Sequence, residues 1–157
     1  MTKPASAPSL PESFSFPPEL LKQLTFVVNK VAERLDHQIE SVITPYKLAF
    51  RQYRLLVFLK SEGPQAQIAI SQQTGLDRTS VMRTVDLLEQ RGLVRRDPDS
   101  SDRRKHSVVL THEGNDLLAR SLPEVQQAER EIYAALSEQE QAQLLSLLKR
   151  LLRLRGA

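Results

Sequence analysis

The side chains with the clearest chemical potential lie between Arg78 and Lys105. Arg78, Thr79, Ser80, Arg83, Thr84 and Gln90 offer guanidinium, hydroxyl and amide groups on one predicted helix. Arg103-Arg104-Lys105 follows as three consecutive cations. An arginine can bond guanine O6 and N7 with two parallel donors, and Thr79 and Ser80 suit a thymine methyl or a phosphate. This is recognition chemistry. Bond-making chemistry has few carriers, because the 157-residue chain has no cysteine. Disulfides, thiolate nucleophiles, thiol redox sensing, cysteine-ligated zinc and iron–sulfur clusters are thereby excluded. Of the three histidines (His37, His106, His112), His106 and His112 straddle a strand and a helix start with Glu113, without a tight ligand pattern. There is no nucleophile–base pairing, paired-carboxylate motif or Gly-rich phosphate loop, so neither an enzyme nor a cofactor is expected.

The elements that must position these groups follow from periodicity. Residues 1–18 hold five prolines and several serines, which reads as a tail outside the fold. Phe14 and Phe16 leave open a second reading, an arm docked on a neighbouring subunit. From Glu19 onward Leu20, Leu24, Val27, Val28, Val31, Leu35, Ile39 and Val42 recur at steps of three and four. They predict one helix ending near Thr44, since Pro45 disfavours helical backbone in the residue before it. At about 25 residues it would be about 37 Å long, and a helix of that length needs a partner to cover its stripe. A second helix is predicted over Phe50–Ser61 with Tyr53, Leu56, Val57 and the stem of Lys60 inward, and a short third one over Gln65–Gln73. Thr74-Gly75-Leu76 is a glycine turn.

The fourth helix is predicted over Arg78–Arg91, with Asp77 as N-cap and Gly92 just past its end. At about 100° per residue, Val81, Val85 and Leu88 share one arc while Thr79, Arg83, Asp86 and Gln90 lie opposite, Arg78 and Ser80 being near the N-terminal end. The outer set fits a face turned to a major groove, and equally the solvated face of a surface helix. Two short apolar runs, Leu93-Val94 leading into Arg95-Arg96 and Ser107–Leu110, flank a Pro/Asp/Ser turn signal and predict a β-hairpin with a long tip. Arg91 to Lys105 holds six basic and three acidic residues, concentrating positive field near that tip although the whole chain carries only +3. Thr111 caps a fifth helix bent at Pro123, and Ser137–Glu140 is a capping box opening a leucine-saturated last one.

Short helix, glycine turn, capped helix and basic hairpin follow the order of a winged helix-turn-helix. The stretches Gly75-Leu76-Asp77-Arg78-Thr79-Ser80-Val81, Val85 to Arg96, Asp102-Arg103-Arg104-Lys105 and Val109-Leu110-Thr111-His112-Glu113-Gly114, with Leu136 to Glu140, resemble the MarR (multiple antibiotic resistance regulator) family. The ordered set spans Glu19 to Leu154, and the tail lies outside it.

The resemblance implies a mainly α fold with a small β-hairpin wing. It divides the chain into a tail (1–18), a dimerisation helix (19–49), a winged module (50–111) and C-terminal dimerisation helices (112–157). It implies a homodimer interlocked through the first, fifth and sixth helices, on a pseudo-palindromic operator in double-stranded DNA, most often as a repressor. The family's Asp-x-Arg wing motif falls on Asp102 and Arg104. Arg104 is then expected in the minor groove and Asp102 as its support. Asp86 becomes either an internal partner for a wing arginine or a screened surface carboxylate. Family members often respond to small aromatic or phenolic anions. His37, Tyr46, Arg51 and Tyr53 are candidates to line such a pocket, and each also reads as an ordinary packing or surface residue. No apolar run approaches the roughly 20 residues of a membrane span, and a cytoplasmic protein is expected. The competing class is a winged-helix module that docks proteins without specific DNA binding.

Overall fold

The computed structural model describes residues 16–98 and 106–153. Helix α1 (Pro18–Leu21) leads into α2 (Leu24–Ile43), a 3-10 turn (Thr44–Tyr46), α3 (Phe50–Glu62), strand β1 (Gln65–Ala66), α4 (Gln67–Thr74) and α5 (Arg78–Gln90). Strands β2 (Val94–Pro98) and β3 (His106–Leu110) then precede α6 (His112–Tyr133) and α7 (Glu138–Arg153). The expected fold class, mainly α with a small β wing, is the one observed. The sheet is antiparallel in the order β1-β3-β2, with Arg95 opposite Val109 and Gln65 opposite Val108.

Several expectations are corrected. The first helix is not continuous, because Gln23 is extended at φ −90° and ψ 109° and separates α1 from α2. The break brings Phe16 edge-on to Phe26 with ring centroids 5.3 Å apart. Gln65 and Ala66 are strand rather than helix, because they fill the free edge of β3. The hairpin pairs further out than expected, through Asp97 with Ser107 and Pro98 with His106. Val57, expected inward, is exposed, whereas Tyr53 and Leu56 are buried. The fifth predicted helix, by contrast, is a single helix as expected, α6, with Pro123 inside it.

The core sits where α3, α4, α5 and the sheet meet. Ile43, Leu56, Leu59, Ile70, Val81, Val85, Leu88, Val94 and Val108 are almost completely removed from water there. Gly114 fixes the root of α6. A Cβ on it would lie 2.2 Å from the Leu93 carbonyl oxygen, so only glycine permits this approach. Thr111 completes the joint, with Oγ1 accepting from Gly114 N at 3.0 Å and donating to the Gly92 carbonyl at 2.7 Å.

Beyond this lobe the apolar pattern is unfinished. Helices α2 and α6 pack along each other, yet Ile39 and Ile43 are the buried positions of α2. Leu24, Val28 and Val31 of its stripe stay exposed. So do Leu145, Leu147, Leu148, Leu151 and Leu152 of α7, a helix that packs extensively against no other described element.

Candidate nucleic-acid interface

Helix α5 carries most of the sequence-predicted site. Asp77 begins it in extended backbone, and its Oδ1 accepts from Ser80 N at 2.9 Å. The hydrogen bonds from Ser80 hold the Asp77 carboxyl below its ordinary range. The cap occupies a donor that the helix start leaves free and places a carboxylate at the positive end of the helix dipole. Val81, Val85 and Leu88 point into the core. Arg78, Thr79, Arg83 and Gln90 are exposed, and no described residue bonds their side chains. Ser80 is half-buried and engaged with Asp77.

Thr84 requires a correction. It is 7% exposed, and its hydroxyl donates to the Ser80 carbonyl at 2.8 Å. Its position falls about 40° from Leu88 and about 140° from Thr79 on the wheel, so it belongs to the core side. A back-bonded threonine there has no donor to offer a base.

Asp86 is not free either. Arg96 of β2 donates through Nη2 to Asp86 Oδ1 at 2.5 Å, and through Nη1 to Glu89 Oε2. Its backbone N–H bonds Glu89 Oε1 at 3.1 Å. With the Gln67 carboxamide turned so that its oxygen faces the guanidinium, Arg96 Nε and Nη2 each lie 3.0 Å from it. One arginine thus ties α4, α5 and β2 together.

Two more of the hairpin's cations are committed. Arg95 Nε meets Asp97 Oδ1 and Oδ2 at 2.8 and 2.9 Å. Arg91 donates to the carbonyls of Lys47 at 2.5 Å and Tyr46 at 3.1 Å. Lys47 is left-handed at φ 55°, a region that is uncommon for a residue with a side chain. Arg91, Arg95 and Arg96 are therefore occupied within the protein. Asp102, Arg103, Arg104 and Lys105 lie outside the described residues.

The effector candidates separate. Arg51 and Tyr53 line one cleft of about 450 Å³ between α3 and the α4 turn, together with Arg54, Val57, Phe58 and Leu76. Arg54 lies 5.5 Å from the Phe50 ring centre, a cation–π contact. Burial pushes the Tyr53 hydroxyl up in pKa, with the Glu129 charge adding to it. His37 lies outside this cleft, exposed on α2, as does Tyr46. Tyr46 Oη shares its one proton between two acceptors, the Arg120 carbonyl at 3.0 Å and Glu124 Oε1 at 2.8 Å. The Glu124 bond is the main cause of its raised pKa.

Sequence reasoning offered Asp86 as a partner for a wing arginine without naming Arg96, and missed the Glu89 and Gln67 contacts of Arg96 and the role of Arg91. Nothing in the local pattern marks a contact across 44 or 10 positions. Among the described residues no group of three potential ligands could hold a metal ion, and no helix is long and apolar enough to cross a membrane.

Residues 46–105 match a family model described as MarR family. The HTH-type transcriptional regulator PecS of Dickeya dadantii (strain 3937) is 32% identical over 126 residues, covering 78% of this chain and 76% of its own. The chain belongs to the MarR family. Members of this family are DNA-binding transcriptional regulators rather than enzymes. Among solved structures, a probable transcriptional regulator from Pseudomonas aeruginosa is 30% identical with a TM-score of 0.76, covering 84% of this chain and 98% of its own. The repressor CouR bound to a 23-mer DNA duplex is 28% identical with a TM-score of 0.79, covering 85% and 94%. CouR from Rhodococcus jostii RHA1 is also known bound to p-coumaroyl-CoA, and that chain is 26% identical with a TM-score of 0.77, covering 84% and 93%.

Proposed function

We propose that this MarR-family protein is a cytoplasmic homodimeric repressor that holds a pseudo-palindromic operator and is released by a small aromatic or phenolic ligand. The observation that carries its DNA side is the division of α5. Its core face and Asp77 cap are locked, while Arg78, Thr79, Arg83 and Gln90 stand outward without side-chain partners among the described residues. Arg83 takes guanine, Thr79 and Ser80 take a thymine methyl or a phosphate, and Arg103, Arg104 and Lys105 follow the adjoining backbone and minor groove.

Dimerisation is supported by the uncovered apolar residues of α2 and α7. A second copy would bury them, and two α5 helices would then face half-sites about one helical turn apart. Release is supported by the cleft beneath Arg51, whose aromatic and apolar wall beside two guanidinium groups fits an aromatic anion. Ligand acts by favouring a dimer whose recognition helices are wrongly spaced, which requires tighter binding to that shape. CouR, a repressor with a DNA-bound form and a form bound to p-coumaroyl-CoA, supports the same reading.

The test is titration of labelled promoter-region and random duplexes over a range of salt. Specific affinity should exceed random affinity by about a thousandfold or more, with a steep salt slope. Equal affinity for both duplexes overturns specific regulation in favour of a docking role. Arg83→Ala should cost about 1–3 kcal/mol on the specific duplex and relax base preference.

A further inference from the structure

Met82 is the anomaly of α5. It is 47% exposed on a helix whose outer face is, Leu87 apart, hydroxyl, amide and charge. At about 100° per residue it lies about 60° to one side of Thr79 and about 40° from Asp86, on the rim of the face that bears Arg83. It is also the fifth residue of the helix, within the N-terminal part that a recognition helix inserts among base edges. Leu87 is exposed as well, but it sits on the opposite rim and further toward the C-terminal end. The Arg83 guanidinium cannot cover the one apolar feature of the major groove, the C5-methyl group of thymine, and Thr79 reaches it only through its single short methyl. A flexible, polarisable thioether chain can cover it.

We infer that Met82 is a specificity-determining residue that reads the C5-methyl of a thymine in each half-site. This rests on the assignment of α5 to the major groove. Contact with the methyl removes both apolar surfaces from water, so exposure of Met82 in the free protein is relieved on the correct sequence alone. Burying one methyl is worth about 0.8 kcal/mol, or about fourfold in affinity.

The experiment begins with selection of bound duplexes from a random pool, using the full chain. In the enriched duplex each thymine is then replaced singly by uracil, which lacks only the methyl, and affinity is measured by fluorescence anisotropy. One position in each half-site should lose about fourfold with the parent. Met82→Leu should keep that sensitivity, and Met82→Gln, of similar length but polar, should abolish it. Uniform tolerance of uracil, or uracil sensitivity that Met82→Gln leaves unchanged at every position, overturns the inference while specific DNA binding stands. Failure to enrich any duplex overturns the groove assignment itself and the inference with it.

Discussion

Arg96 on β2 and Asp86 on α5 form an ion pair across the root of the hairpin, and Glu89 shares the same guanidinium. The pair is partly sheltered, with the Arg96 side chain 25% exposed. On the side of α5 proposed to face DNA, this acid therefore costs less repulsion than its charge suggests, because its counter-charge is built in. The shared guanidinium ties strand β2 to helix α5.

Removal of that arginine separates this pair from the decorative ones. Arg96→Ala strands two carboxylates and should lower stability by about 1–2 kcal/mol, a value reduced for partial solvent screening. Arg95→Ala breaks a more exposed pair with Asp97 and should leave the urea midpoint close to the parent's. Comparable losses from both variants would show that shelter is irrelevant here.

Thr84 distinguishes a base-contacting hydroxyl from a back-bonded one. Thr84→Val keeps the shape and deletes the hydroxyl whose bond to Ser80 closes within the helix. Affinity for the selected duplex should stay within about twofold of the parent, against about tenfold or more for a lost base contact. Quantitative binding to a single duplex decides it.

Gly114→Ala is expected to be severe. The new Cβ would meet the Leu93 carbonyl oxygen at 2.2 Å and Leu110 Cδ1 at 2.7 Å. Because the nearer atom is backbone, β2 and α6 must part, at about 3 kcal/mol or more. Thermal unfolding should reveal it, whereas a parent-like midpoint would mean the joint opens freely.

The helix caps set part of the acid response. Hydrogen bonds from Ser80 and from Ser137 depress the Asp77 and Glu140 carboxyls below their usual 3.8 and 4.5. The unfolded chain thus binds these protons more readily, and stability rises with pH through that range. The contribution is fully present above the ordinary values and is lost as pH falls below them toward the folded ones. Urea melts between pH 6 and about pH 3 should show it. Asp77→Asn, which caps without titrating, should flatten the slope; an unchanged slope would remove Asp77 from the account.

How much could be read from residues alone depends on reach. The bounds of α5 were legible because Asp77 and Gly92 are punctuation whose effect spans a few residues. The Ser137–Glu140 box is equally local, and Ser137 N donates to Glu140 Oε2 at 2.8 Å. The break at Gln23 was hidden because the leucine and valine stripe continues across it. Strand β1 was hidden because two residues carry no period, and only the edge of β3 defines them. Thr84 was misplaced by residue type, although the wheel position put it with Leu88. The grips of Arg91 and Arg96 depend on what the fold brings near, which spacing along the chain does not encode.

The Arg91 grip closes on main-chain oxygens at Tyr46 and Lys47. Carbonyls are common to every amino acid, so inheritance can rewrite either of those two positions without erasing the acceptors. The donor enjoys no such latitude, since a lysine there has a single head and cannot span both oxygens in the same planar fork. Evolutionary tolerance at this junction is therefore lopsided, wide on one bank and narrow on the other.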